Sequence, residues 1–273
     1  MRRSNVVGVD GSASALAAVR WAAVDAALHR VPLRVVHVEP TSGGPGPAGR
    51  DDPLAAACQA AGGTEVEVFP ELHQGLPHEV LVEESARARR VVVGTRGVGE
   101  RIGVAVGSTA EAVAMRAECP VVVVRGQEPE PDRPVLLGVD GSAVGEAAVG
   151  VAFEEAAVRR VPLVAVHVWI DVELDPWVPT DDREWAEIEE SEREVLAERL
   201  AGWREQHPDV PVRRVVERDR PVRYLVEHAK EAQLVVVGSR GRGGMTGMLL
   251  GSTSRALLHV APCPVLVARN RAA

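Results

Sequence analysis

Apolar positions in this chain come in two kinds. Short runs of Val and Leu are bounded by Gly, Pro or Asp. Longer Ala-rich stretches carry their apolar residues three or four apart. The first kind predicts buried strands and the second amphipathic helices. Asn5 to Val9 reads as a strand ending at Asp10. Gly11 turns the chain, and Ser12 or Ser14 caps a helix. That helix, Ala13 to His29, sets Leu16, Val19, Ala23 and Ala27 on one stripe. Pro32 begins a second strand, Leu33 to Val38. Thr41 to Pro53 is rich in Gly and Pro and predicts a flexible loop. Leu54 to Ala61 is a short helix at best, and Glu65 to Phe69 is a third strand. Pro77 opens a helix that runs to about Ala88. A fourth strand (Arg90 to Val93), a glycine-rich stretch, a helix (Ser108 to Ala117) and a fifth strand (Val121 to Val124) complete the pattern.

The pattern then repeats. Val6 to Val38 aligns without gaps to Leu136 to Val168 with 19 identities in 33 positions, and Val91 to Arg125 aligns to Val235 to Arg269 with 18 in 35. The unit is too long for a solenoid repeat and close to ordinary domain size, so two tandem domains are expected, 1–126 and 134–273. The polar, Pro-rich residues 127–133 form the linker. The second copy differs between its second and third strands. There Trp185, Ile188, Val195, Leu196 and Trp203 recur at helical spacing in an acidic stretch. The charges of that stretch read as the solvated face of a helix.

Five strands alternating with four helices predict an α/β fold: a doubly wound parallel five-stranded sheet in each copy, strand order 3-2-1-4-5, with helices on both faces. In that order the first and fourth strands are neighbours where the winding reverses, and ligands bind beyond their carboxyl ends. Asp10 and Gly94 should therefore face one crevice, and Asp140 and Gly238 another.

Composition narrows the class. Hydrophobic residues make up 46% and aromatics 3%, so the core is Val, Ala and Leu. The net charge is −8 with no basic run, which disfavours nucleic-acid and membrane-surface roles. No long apolar stretch escapes interruption by charge, so neither a membrane span nor a signal peptide is expected. Three cysteines without metal spacing fit a reducing cytoplasm. No His, Cys or carboxylate set has the spacing of a metal site. His37 and His167 are read as structural.

Both copies carry Gly-x-x-Gly, nine residues, Gly-Ser-Thr. These are Gly94, Gly97, Gly107, Ser108 and Thr109 in the first, and Gly238, Gly241, Gly251, Ser252 and Thr253 in the second. Glycines let the backbone approach an anion. Consecutive N–H groups make an anion nest, and the N-terminus of a helix adds its dipole. The alternative is a glycine-rich connection that binds nothing. Duplication, each time with a strand-one aspartate, favours a phosphate site. Arg96 and Arg240 either approach the phosphates or are surface arginines. No Gly-Lys pair and no G-x-G-x-x-G is present, which argues against Walker-type and dinucleotide sites. Nor is there a G-x-S-x-G elbow, and no catalytic residue is assigned.

On these residues the chain resembles a tandem universal stress protein of the ATP-binding subtype. The resemblance implies an adenine nucleotide (ATP, or ADP or AMP), often with Mg²⁺, turned over slowly or not at all. It places Gly8, Val9 and Asp10, and Gly138, Val139 and Asp140, at the strand-one wall, with the aspartates near adenine and ribose. Val38 and Val168 stand where the backbone reads the adenine edge. It also implies pairing of fifth strands, here within one chain as an internal pseudo-dimer, with a homodimer as a further expectation. Glu100 departs from the pattern: it lies in the first loop where the second has Gly244, with Arg242 nearby. The second site is therefore expected to bind at least as tightly as the first. Three functions are compatible: a nucleotide-binding stress-response regulator, a slow Mg-dependent ATPase or autophosphorylating enzyme, or a scaffold with structural nucleotide.

Overall fold

The computed structural model describes residues 3–40, 52–97, 106–125, 130–142, 145–169, 182–218, 220–241 and 249–269, with only the backbone of 182–185. The first repeat contains β1 (Asn5–Val9), α1 (Ala13–His29), β2 (Leu33–Glu39), α2 (Pro53–Ala60), β3 (Val68–Gln74), α3 (Pro77–Ser85), β4 (Arg90–Gly94), α4 (Ser108–Arg116) and β5 (Val121–Val124). The second contains β6 (Val135–Val139), α5 (Glu146–Arg159), β7 (Leu163–Val168), α6 (Asp182–Gln206), β8 (Val212–Glu217), α7 (Pro221–Ala229), β9 (Leu234–Gly238), α8 (Ser252–Val260) and β10 (Val265–Ala268).

The contacts divide the chain into two compact units, Met1–Glu128 with Pro264–Ala273, and Pro129–Cys263. In the first, β3-β2-β1-β4-β5 run parallel. In the second, β9-β6-β7-β8 do the same. The doubly wound α/β class expected from the alternation is what forms. Val6, Val7, Val91, Val92, Val121 and Val122 are fully buried, as a parallel sheet covered on both faces requires. Helices α1 and α2 pack together over that sheet, and so do α3 and α4.

The strand count per unit departs from five. Strand β10 belongs to the first unit, antiparallel to β5 with Leu266 opposite Val122. The physical reason is the all-valine edge of β5, which needs a partner. The third strand also differs, running from Val68 to Gln74 instead of ending at Phe69. Pro70 is tolerated inside it because of the ladder's phase. Leu33 N donates to Glu67 O and Gly75 N to Glu39 O, so the odd-numbered residues face β2. Pro70 falls on the alternate positions, where a missing N–H breaks no bond to β2.

Helix α1 begins where the sequence places it. Ser12 Oγ accepts from Ala15 N at 3.1 Å. Inside the first unit, Asp25 of α1 is fully buried and accepts from Asn5 Nδ2 at 2.8 Å and Arg90 Nη1 at 3.0 Å. The expected acidic helix of the second repeat is α6, with 25 residues against eight in α2. Its Trp203 packs beside Phe153 of α5 (ring centroids 6.5 Å apart), and its Nε1 donates to Glu146 Oε1 at 2.7 Å. No helix among the described residues is long and apolar enough to cross a membrane. The 41–53 loop expectation falls almost wholly outside the described residues.

Candidate functional site

In the first unit, β1 and β4 are adjacent and end side by side, as the 3-2-1-4-5 order demands. Their carboxyl ends open into a cleft. One end is apolar, walled by Val36 and Val38 of β2 and by Pro77 and Leu81 of α3. The other is polar, with Asp10, Gly94, Thr95, Arg96, Gly97, Gly107 and Thr109. The cleft exists because residues that touch here lack side chains. A Cβ on Gly8 would stand 2.7 Å from Leu81 Cδ1, one on Gly94 2.6 Å from the backbone of Ser14, and one on Gly97 2.7 Å from Asp10 Oδ2. Val9 and Val38 are buried, and Asp10 and Thr109 half-buried.

The loop after β4 is tied to the start of α1. Ser12 N donates to Asp10 Oδ1 at 2.9 Å, and Gly11 turns with φ +83°. Ser12 Oγ also donates to Arg96 O at 3.2 Å, and Arg96 N donates to Ser14 Oγ at 3.3 Å. Gly107 N-caps α4 and donates its N–H to Thr95 O at 2.6 Å. Ser108 follows, exposed at the first position of the helix. The Arg96 side chain is exposed. Its charge joins desolvation, the larger cause, in lowering the pKa of Arg125 at the end of β5. Two guanidinium groups thus lie within reach of each other at this end of the sheet, an arrangement that suits an anion.

The second site repeats the frame with different wiring. A Cβ on Gly241 would stand 2.5 Å from Asp140 Oδ2, and one on Gly145 2.8 Å from Oδ1. Asp140 accepts from Ser142 N at 3.0 Å and from Ser142 Oγ at 2.8 and 3.0 Å to its two oxygens. The serine that caps the helix in the first repeat here also grips the carboxylate. A Cβ on Gly138 would meet Val237 Cγ1 at 3.1 Å, and one on Gly238 would meet Arg240 O at 3.1 Å. Gly251 is the N-cap of α8, and Ser252 and Arg240 are exposed. Val139, Val168 and Thr253 are half-buried. His37 Nδ1 bonds Val9 O and His167 Nδ1 bonds Val139 O, each at 2.8 Å. His167 is fully buried, its Nε2 2.8 Å from Glu192 Oε2. Both imidazoles hold strand ends, the structural part read for them.

A family model described as the universal stress protein family matches residues 1–125 and again 133–269. The chain belongs to the universal stress protein family. It is 44% identical over 287 residues to universal stress protein Rv2005c of Mycobacterium tuberculosis, covering 97% of this chain and 96% of that one. A universal stress protein of Mycolicibacterium smegmatis is 45% identical over 288 residues, covering 97% of each. The crystal structure of a universal stress protein from Archaeoglobus fulgidus superposes with a TM-score of 0.70 at 18% identity, covering 97% and 98% of the two chains.

As a universal stress protein, the chain shows several cleft residues that its motifs did not mark. Ser14, Thr95, Leu81 and Pro77 complete the first cleft. Ser14 carried a signal: the second repeat has Val144 at the matching position, so a hydroxyl there is particular to the first. Leu81 carried none, because its place in the wall depends on how α3 crosses β1. Glu100, Arg242 and Gly244, on which the expected ranking of the two sites rests, lie outside the described residues.

Proposed function

We propose that this universal stress protein is a regulatory adenine-nucleotide-binding protein with ATP as its ligand, one site in each repeat (1–126 and 134–273). The observation that carries the reading is the approach of Asp10 to Gly97, with an apolar wall on one side and the N-terminus of α4 on the other. Val36, Val38 and Leu81 suit the faces of a planar base. The Asp10 carboxylate suits ribose hydroxyls and would be available to a Mg²⁺ ion bound with the nucleotide. Gly107, Ser108 and Thr109 offer N–H and hydroxyl donors where the helix dipole is positive. Gly138, Asp140, Gly241, Gly251, Ser252 and Thr253 take the same parts in the second repeat. The role is binding in a cytoplasmic stress response, with nucleotide retained intact.

The β5–β10 ladder supports reading the two repeats as an internal pseudo-dimer. A homodimer would then form through another surface, and sedimentation at several concentrations measures it.

The deciding experiment is mass spectrometry of nucleotide released from freshly purified protein, followed by titration of stripped protein with ATP, ADP and AMP. Recovered ATP and saturable binding, lost site by site in Gly94→Val and Gly238→Val, are expected. Steady ADP release that depends on Gly238 would replace this reading with the ATPase. No nucleotide and no saturable binding would remove both.

A further inference from the structure

The two repeats differ where α1 meets α2 and α5 meets α6. In the second repeat, Trp203 of α6 fills that space. A Cβ on Gly150 would stand 2.5 Å from Trp203 Cη2, Phe153 lies beside the indole, and Glu146 accepts its N–H. His207 adds a third ring, 5.8 Å from Phe153. By the gapless alignment of the repeats, Glu146, Gly150 and Phe153 correspond to Leu16, Arg20 and Ala23. The first repeat therefore lacks the ring at 153, the notch at 150 and the acceptor at 146. Its α2 has eight residues and brings no aromatic side chain to α1.

What remains is an open groove of about 520 Å³, walled by Leu16, Ala23 and Val24 of α1 and by Ala56 and Ala60 of α2. That volume falls in the range of ligand pockets, roughly 300–1,000 Å³. Arg20 stands at its rim, exposed, and among the described residues it makes no hydrogen bond or ion pair. None of these residues lines the nucleotide cleft.

We propose that this groove is a second ligand site, for a small planar aromatic molecule carrying one anionic group. The ring takes the space that Phe153 fills in the second repeat, against the small side chains of Ala23, Ala56 and Ala60, since Arg20 stands where Gly150 admits Trp203. With Leu16 in place of Glu146, the ring's inner edge is apolar. The anionic group, carboxylate, sulfate or phosphate, pairs with Arg20 at the mouth. The occupant is thus dictated by shape from the duplicate and by charge from one unpaired guanidinium. This site does not depend on the nucleotide reading.

The test uses the full chain and indole-3-propionate, followed by ligand-detected NMR. Saturable binding is expected, undisturbed by excess ATP. Arg20→Gln should weaken it roughly fivefold, the scale of an exposed ion pair. Ala23→Phe installs the ring that the second repeat has and should abolish it. Ala60→Leu, at the half-exposed end of α2, should do the same if Ala23→Phe fails to fold. Displacement by ATP, the absence of saturable binding up to about 10 mM (a free energy of only a few kcal/mol), or equal binding by Arg20→Gln and Ala60→Leu would overturn the proposal.

Discussion

Gly97 lies so close to Asp10 that a single methyl group on it would stand 2.7 Å from the carboxylate oxygen Oδ2. Gly241 repeats the approach to Asp140 at 2.5 Å. Either methyl must push the carboxylate aside. Gly97→Ala and Gly241→Ala should each lower ATP affinity at their own site by about tenfold or more, because a displacement on the order of 1 Å at a binding constellation is costly. Calorimetric titration of each variant, with the other site intact, reads the loss. Unchanged two-site binding in both variants would mean that the aspartates do not contact the nucleotide.

Gly94 and Gly251 belong to the same motif but should behave differently. A Cβ at 94 meets the Ser14 backbone at 2.6 Å, whereas at 251 the nearest atoms are 3.7 Å away. Gly94→Ala should destabilise the protein by about 1–3 kcal/mol, as overpacking does. Gly251→Ala removes only a modest N-cap preference, roughly 1 kcal/mol at most. Urea unfolding of the two variants separates the cases, and a larger loss at 251 would contradict the packing argument.

Asp25 offers a test in the core. It is fully buried, as is Arg90 to within 2%. Asp25→Ala removes the carboxylate that accepts from Arg90 Nη1, and breaking a buried ion pair costs about 3–5 kcal/mol. The expected outcome is a large drop in the denaturation midpoint, or failure to fold at 37 °C.

Stability in acid should depend on Glu71. Its pKa is lowered, chiefly by the hydrogen bond from Arg34 and against desolvation. A carboxyl whose folded pKa is depressed contributes stability above its unfolded pKa and loses it as pH falls through the folded value. Glu71→Gln should therefore cost about 1 kcal/mol or less at neutral pH, since both partners are partly exposed. The difference from the parent should vanish in strong acid. A difference that persists there would point to packing instead of charge.

Thiol chemistry should single out one cysteine. Burial pushes the Cys263 thiol up to about 12, and Cys119 is also buried while Cys58 is half-exposed. A thiolate is the reactive species. Native protein at mildly alkaline pH should therefore label first at Cys58, with the other two reacting only on unfolding. Peptide mapping after a short alkylation checks the order.

The sequence carried the frame of these sites farther than their contents. Asn5–Val9, Ala13–His29 and Val121–Val124 form as read. Their ends are marked by local chemistry: the Gly11 turn, the Ser12 cap, and Pro120 before the last strand. The meeting of Asp10 with the glycine loop followed from strand order alone. What stayed hidden was set by tertiary geometry. The end of β3 depended on which way the Pro70 amide position faces, and Leu81 entered the cleft wall through the crossing of α3. The different grips of Ser12 and Ser142 also lay beyond reach, since both serines sit in an identical Gly-Val-Asp-Gly-Ser segment.

The pairing of β5 with β10 also sets a timetable. Strand β5 is synthesised near the middle of the chain, but its antiparallel neighbour follows only after about 140 further residues. At roughly 5–20 residues per second, the all-valine edge Val121–Val124 leaves the ribosome about 7 to 30 seconds before the segment that covers it. During that interval a nascent chain carries an open apolar ladder. The first half of this protein is therefore the part that most needs protection while the second half is being made.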